Sequence, residues 1–224
     1  MPSLQPMTRS ELSRRLFDGA RQLGVAISEK QACQLLAYLE CLQRWNAVHS
    51  LSAWKGPSDL LMHHVFDSMT VVEPLSRFAG RRRLRVLDAG SGAGFPAAVL
   101  AVLRPEWALT AADAVAKKMA FVRQAASESG IDNLDAVHVR LEQWRPREAF
   151  DVVVSRAFAS LSTFVRVTKH LLSADGVWLA QKGQIPGKEI AGLTPGVEVF
   201  HVEPVTLPGL EAERHLVWMR KART

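Results

Sequence analysis

The chain has 224 residues, 48% of them apolar and 22% charged, enough to bury a sizeable core and too apolar for a disordered segment. Its longest apolar run, Phe95–Leu103, falls far short of the ~20 residues that a membrane span needs, and no export signal is expected at its start. Lys and Arg outnumber Asp and Glu by 28 to 22, and the net charge of +6 favours an acidic partner, nucleic acid first among them.

The charge excess is uneven, because residues 1–85 hold 12 basic against 7 acidic side chains. Much of any polyanion-binding face is therefore expected in the first third. Within it, Thr8-Arg9-Ser10-Glu11 and Ser28-Glu29-Lys30-Gln31 both fit the capping box that opens a helix. Ala32, Leu35, Leu36, Leu39 and Leu42 then recur at steps of three and four, which predicts an amphipathic helix running towards Trp45. Cys33 and Cys41 lie ~12 Å apart along that helix, too far for a disulfide. Both are expected to pack the helical layer, in a reducing, cytoplasmic compartment. A polar stretch from Ser50 to Asp59, with Gly56-Pro57 inside it, breaks the pattern. A third helix follows with Leu61, Val65, Met69 and Val72 on one stripe, and Arg77 to Arg85 forms a basic junction. Residues 1–80 thus read as a helical region packed on the core of a domain spanning residues 81–224.

From Leu84 the rhythm changes to short apolar runs alternating with helical stretches, the pattern of a parallel sheet with crossover helices. Candidate strands are Leu84–Ala89, Ala108–Asp113, Ala136–Arg140, Phe150–Ser155 and Val177–Gln181. Val197–Val205 and His215–Arg220 are separated by a Pro/Gly-containing loop instead of a helix, which predicts two closing strands, one of them antiparallel.

Asp88-Ala-Gly90-Ser-Gly92-Ala-Gly94-Phe95-Pro96 follows the first strand and precedes a helix, so a ligand can approach the main chain closely there. A dinucleotide fingerprint would need glycine where Phe95 stands, which disfavours a pyrophosphate. Asp88, beside the first glycine, suits a ligand with a cationic amino group. Asp113 ends the second strand 23 residues after Gly90, near the ~20-residue spacing at which a carboxylate meets ribose hydroxyls, although a helix cap would also explain it. Leu141-Glu142 follows the third strand, where an adenine would lie. Together these strand-end features point to S-adenosylmethionine and to an α/β, class I (Rossmann-like) methyltransferase with a seven-stranded, mostly parallel sheet and an N-terminal helical extension.

After the fourth strand stands Ser155-Arg156-Ala157-Phe158, without the amide or carboxylate that would receive a proton from an exocyclic amine. A ring nitrogen with a free lone pair needs no such acceptor, only proximity and alignment. Arg156 suits a carbonyl oxygen or a phosphate, or else a structural ion pair. His64, Asp67 and Ser68 at i, i+3 and i+4 share one helix face; a metal site there is disfavoured for want of further ligands, and a local His64–Asp67 hydrogen bond is the simpler alternative. Lys182 and His215 sit near strand ends, either as RNA contacts or as ordinary edge polar groups. Arg81, Arg82, Arg83 and Arg85 suit phosphates, or form a solvated junction.

The sequence resembles the RsmG (GidB) family of bacterial 16S rRNA guanine-N7 methyltransferases. The resemblance is carried by Trp45-Asn46 through Ser50-Leu51-Ser52, His64-Val-Phe-Asp67-Ser68, the glycine loop, Arg104-Pro105, Ser155-Arg156-Ala157-Phe158-Ala159-Ser160-Leu161, Lys182-Gly183-Gln184 and Glu213-Arg214-His215-Leu216-Val217. It implies methylation of N7 of guanine 527 in the 530 loop of 16S rRNA, with 16S rRNA or the 30S subunit as partner. It also implies cofactor contacts at Gly90, Phe95, Leu141, Glu142 and Arg156, with Gly92 and Gly94 in the same loop, and a His64–Asp67–Ser68 face lining the cofactor or base pocket. The chain departs from the family at Ser50-Leu51-Ser52, where N-L-T is usual, and at Phe95, where leucine is common. A monomer is the simplest expectation. The alternatives are a methyltransferase acting on a different RNA, a protein or a small molecule, and a non-catalytic ribosome-binding module.

Overall fold

The structure, a computed structural model, describes residues 7–222 apart from Ala157 and Ala159. Both predicted capping boxes form. Thr8 opens α1 (Arg9–Gln22) and Ser28 opens α2 (Glu29–His49), each side chain accepting from the backbone three residues on while that residue's side chain reaches back. The predicted stripe of α2 is buried from Ala32 to Leu42, as is Cys41. Cys33 is exposed, contrary to expectation. One residue beyond Ala32 is a turn of about 100° away from the stripe.

Ser50 ends α2 in the left-handed region, with φ 49° and ψ 52°. The next helix, α3 (Pro57–Leu60), starts inside the stretch expected to be loop, because Pro57 occupies its first turn, where no amide is needed. It runs on through a π-helical segment (Leu61–Phe66) into α4 (Asp67–Met69), and α5 (Val72–Ala79) follows. The stripe Leu61, Val65, Met69 and Val72 is buried throughout.

The strands are β1 (Arg85–Ala89), β2 (Ala108–Asp113), β3 (Leu134–His138), β4 (Phe150–Arg156), β5 (Leu172–Lys182), β6 (Val197–Leu207) and β7 (Leu210–Lys221). They form one sheet in the order β3-β2-β1-β4-β5-β7-β6, parallel except for β7, which runs antiparallel to both neighbours. Along β1, Val86 faces a core shared with α1, α2, α6 (Ala97–Leu103) and α7 (Ala116–Glu128). Leu87 faces the opposite core, built with α8 (Leu161–Thr168) around Phe164 and Trp178. Strands covered on both faces are what a parallel sheet requires. The N-terminal helices and one face of the sheet thus share a continuous core, and the carboxyl ends of β1, β2, β4 and β5 meet at one edge, where open α/β sheets bind ligands.

Candidate functional site: two cavities at the strand ends

The turn after β1 is tied to its neighbour, since the Gly90 and Ser91 amides donate to the Ala112 carbonyl at 2.8 and 3.1 Å. Asp113 Oδ2 accepts from the Gly92 amide at 3.1 Å and its Oδ1 from the Val115 amide at 2.9 Å, with Lys118 Nζ at 3.4 Å. Asp113 therefore ties the glycine loop to the turn that leads into α7. Gly94 has φ +80°, and a Cβ there would sit 2.3 Å from the Tyr38 hydroxyl, so only glycine fits.

Asp88 is fully buried beneath this loop. Its Oδ2 accepts from the Ala97 amide at 3.0 Å, and Oδ1 is a buried oxygen with no hydrogen-bond partner among the described residues. Burial pushes its carboxyl up to about 7, against the Ala97 hydrogen bond and the Arg156 charge, while Asp113 adds to the rise. Asp88 thus fastens the start of α6 through the Ala97 amide, and it is not on the wall of the cavity beside the loop.

A cavity of about 240 Å³ opens beside the loop, lined by Gly90, Asp113, Val139, Leu141, Glu142 and Phe158 among others. Two carboxylates at the rim of an apolar slot suit ribose hydroxyls and the face of an adenine. Above Gly92 (φ +59°) a Cβ would meet nothing within 4 Å, which leaves room for a ligand against the main chain. The residues present therefore fit S-adenosylmethionine. Phe95 is buried and does not line this cavity; it stacks on His64, centroids 4.7 Å apart, and meets Tyr38 edge-on.

A second cavity, about 460 Å³, lies at the same edge of the sheet and is lined by Trp54, His63, His64, Asp67, Arg156 and Arg214, with Gln181, Lys182 and Gly183. Arg156 Nη2 donates to His64 Nδ1 at 2.9 Å, and its Nη1 donates to the His63 carbonyl at 2.8 Å and to Asp67 Oδ2 at 3.2 Å. Arg214 Nε and Gln181 Nε2 donate to Asp67 Oδ1 at 2.9 and 3.1 Å. Since a guanidinium cannot accept, His64 Nδ1 is the acceptor and its proton sits on Nε2, which lies 2.7 Å from Ser52 Oγ. Burial first, then the charges of Arg156 and His63, press the His64 pKa down to about 3. His64 is a neutral strut between Ser52 and Arg156.

Several expectations change here. No hydrogen bond links His64 to Asp67 among the described contacts; Arg156 bridges them. Ser68 is wholly buried and does not line the cavity, although Asp67, one residue before it, does. His215 is buried opposite Lys182 and also stays off the cavity wall. Arg156 lines the second cavity instead of the first. Lys182, at the rim, is paired with Glu189 at 2.9 Å. Arg81, Arg82 and Arg83 are exposed, and Arg85 pairs with Glu148. Arg81, Arg82 and Arg83 precede β1 and Arg85 begins it, so all four stand at the end of the strand opposite the glycine loop. Among the described residues there is no group of three or more His, Cys, Asp or Glu placed to hold a metal, and no helix is long and apolar enough to cross a membrane. Of the wall residues, Trp54, His63, Gln181, Gly183 and Arg214 are not among the site residues expected from the sequence. Arg214 stands in the E-R-H-L-V run, but only the fold brings it to Asp67, 147 positions away.

The family model of GidB, rRNA small subunit methyltransferase G, matches residues 31–217. The chain belongs to that family. It is 49% identical to the ribosomal RNA small subunit methyltransferase G of Leptothrix cholodnii, over 92% of this chain and 94% of that protein. With the protein of the same description from Methylibium petroleiphilum the identity is 43%, over 98% and 99%. Among solved structures, the glycopeptide N-methyltransferase MtfA complexed with S-adenosylmethionine superposes with a TM-score of 0.58 at 13% identity, over 71% of this chain and 96% of that one. That likeness establishes the class I methyltransferase fold. Of the family-specific S-R-A-F-A-S-L run, Ala157 and Ala159 lie outside the described residues, while Ser155 is buried at the end of β4 and Ser160 caps α8.

Proposed function

We propose that this protein is a cytoplasmic monomer that transfers a methyl group from S-adenosylmethionine to N7 of guanine 527 in the 530 loop of 16S rRNA, presented as 16S rRNA or as the 30S subunit. Beyond family membership, one observation carries the choice of acceptor atom. His64 and Asp67 on the wall of the larger cavity already have protein partners: His64 between Arg156 and Ser52, Asp67 under Arg156, Arg214 and Gln181. Such a wall orients a base without removing a proton from it, which is what an in-line transfer to a lone pair requires. When bound, the cofactor supplies an electrophilic methyl group on a sulfonium. Asp113 and Glu142 then hold the ribose and adenosine side of the smaller cavity, while Gly90 and Gly92 allow close approach to the main chain. Guanine N7 faces the deep groove of an RNA helix, so the substrate is an unstacked loop base. The cationic wall of Arg156, Lys182 and Arg214 attracts its phosphates. Arg81, Arg82, Arg83 and Arg85, at the far end of the sheet, grip phosphates well away from the acceptor.

Transfer from tritiated S-adenosylmethionine to unmethylated 30S subunits or 16S rRNA, followed by mapping of the modified base, tests this. Label at one guanine N7 in the 530 loop is the expected result, lost in Asp113→Ala. Label elsewhere, or transfer without RNA, moves the activity to another substrate. Salt-sensitive RNA binding with no cofactor affinity leaves only a ribosome-binding module.

A further inference from the structure

Trp54 is 42% exposed, and of the large apolar residues standing exposed among the described ones it is the one on the wall of the 460 Å³ cavity. A single exposed aromatic side chain needs no explanation by itself. This one is held rigidly. One face of its indole lies on the His63 ring, with centroids 3.6 Å apart and planes 10° from parallel. Its amide donates to Ser52 Oγ at 3.1 Å, its carbonyl accepts from Asn46 Nδ2 at 2.9 Å, and Asn46 Oδ1 accepts from the Ser52 amide at 2.8 Å. Ser52 Oγ is in turn the partner of His64 Nε2. The loop that carries Trp54 is therefore fastened to the residues that fix Arg156.

Stacked on His63, the indole is an ordered aromatic plane on the wall of a cavity that also carries Arg156, Lys182 and Arg214. An aromatic plane beside cations is the combination that holds an unpaired nucleotide: the plane stacks on the base and the cations meet its phosphate. A cavity of this size lies within the range that encloses a small ligand. We infer that Trp54 is the stacking platform for the extruded acceptor base, backed by His63, an assignment that rests on the RNA-methylating reading above. Trp54 is a positioning residue. It touches the base's face and takes no part in the transfer of the methyl group.

The test compares Trp54→Ala, Trp54→Phe and Trp54→Leu in methyl transfer to 30S subunits. Loss of one base–aromatic stack raises KM for the RNA substrate by about 5- to 150-fold in Trp54→Ala, with kcat at saturating substrate and S-adenosylmethionine affinity little changed. Trp54→Phe restores most of the loss and Trp54→Leu does not, since leucine keeps apolar bulk without a π-face. A 530-loop RNA with 2-aminopurine at the acceptor position gives a second reading: its fluorescence at saturating protein is quenched by the wild type and bright with Trp54→Ala. Unchanged KM and unchanged fluorescence in Trp54→Ala overturn the inference, as does equal rescue by leucine. If the wild type methylates no ribosomal RNA, the functional reading fails and takes this assignment with it. If the wild type does methylate it while Trp54→Ala is indistinguishable, this assignment alone fails.

Discussion

The Tyr38 hydroxyl donates to the carbonyl of Ala93 at 3.0 Å, so a side chain of the second helix holds the glycine loop from behind. The ring also meets Phe95 and Phe121 edge-on, and it fills the space that a Cβ on Gly94 would need. The helical region is thus part of the cofactor site's foundation. Tyr38→Phe leaves a buried carbonyl unpaired and is expected to cost about 1–3 kcal/mol of stability. Gly94→Ala adds left-handed strain to a clash and is expected to cost about 2–5 kcal/mol. Both weaken S-adenosylmethionine binding, the second more; denaturant titration and calorimetric binding measure the two effects.

The buried Asp67 carboxylate depends on Arg156 and Arg214 together. Removing one cation leaves a partly uncompensated buried charge, and Arg156→Ala is expected to lose about 2–4 kcal/mol in denaturant unfolding. The same variant removes one of the charges that keep His64 neutral, so its imidazole pKa rises from about 3 towards the ordinary value. Histidine NMR titration detects that rise. An unmoved His64 would show that burial alone sets its state.

Asp88 and His64 give stability opposing pH dependences. The Asp88 carboxyl is raised from 3.8 to about 7, so between those values the folded chain binds more protons than the unfolded one, and its stability falls as pH rises. His64 is lowered from 6.5 to about 3, so across that window the unfolded chain binds more protons and stability falls as pH drops. Asp88→Asn removes the first slope. The stability of the wild type relative to this variant is expected to fall by a few kcal/mol between about pH 4 and pH 7. Unfolding curves at stepped pH check this, and a flat difference would contradict it.

Ser50 is the one non-glycine residue with positive φ among those described, at the point where the chain leaves α2 for the Trp54 loop. Asparagine tolerates the left-handed region better than serine does. Ser50→Asn is expected to stabilise the fold by about 0.5 kcal/mol, read as a small rise in Tm, with methyl transfer unchanged.

Much of this architecture was legible because it is written in local signals. Both capping boxes, the α2 stripe and the limits of β2 agree with the pattern of the sequence. The strand expected at Ala136–Arg140 is shifted, because pairing of Leu134 with Leu109 starts the ladder two residues earlier than the apolar run suggests. The carboxylates and glycines of the smaller cavity stand at strand ends and were placed by spacing. The larger cavity was only half visible. Its π-helical turn, the Arg214–Asp67 pair and the Trp54–His63 stack arise from tertiary packing or from side-chain contacts that no local periodicity encodes.

The insertion of β7 between β5 and β6 also bears on timing. Asp67 is made early, yet one of its two cations sits on β7, and that strand separates two of the sheet's strands that precede it in the chain. A chain growing from the ribosome can assemble the glycine loop and its Tyr38 support, and bring Arg156 to Asp67, before it can add Arg214 and complete the wall of the larger cavity. The wall of that cavity is then complete only once translation has passed residue 214.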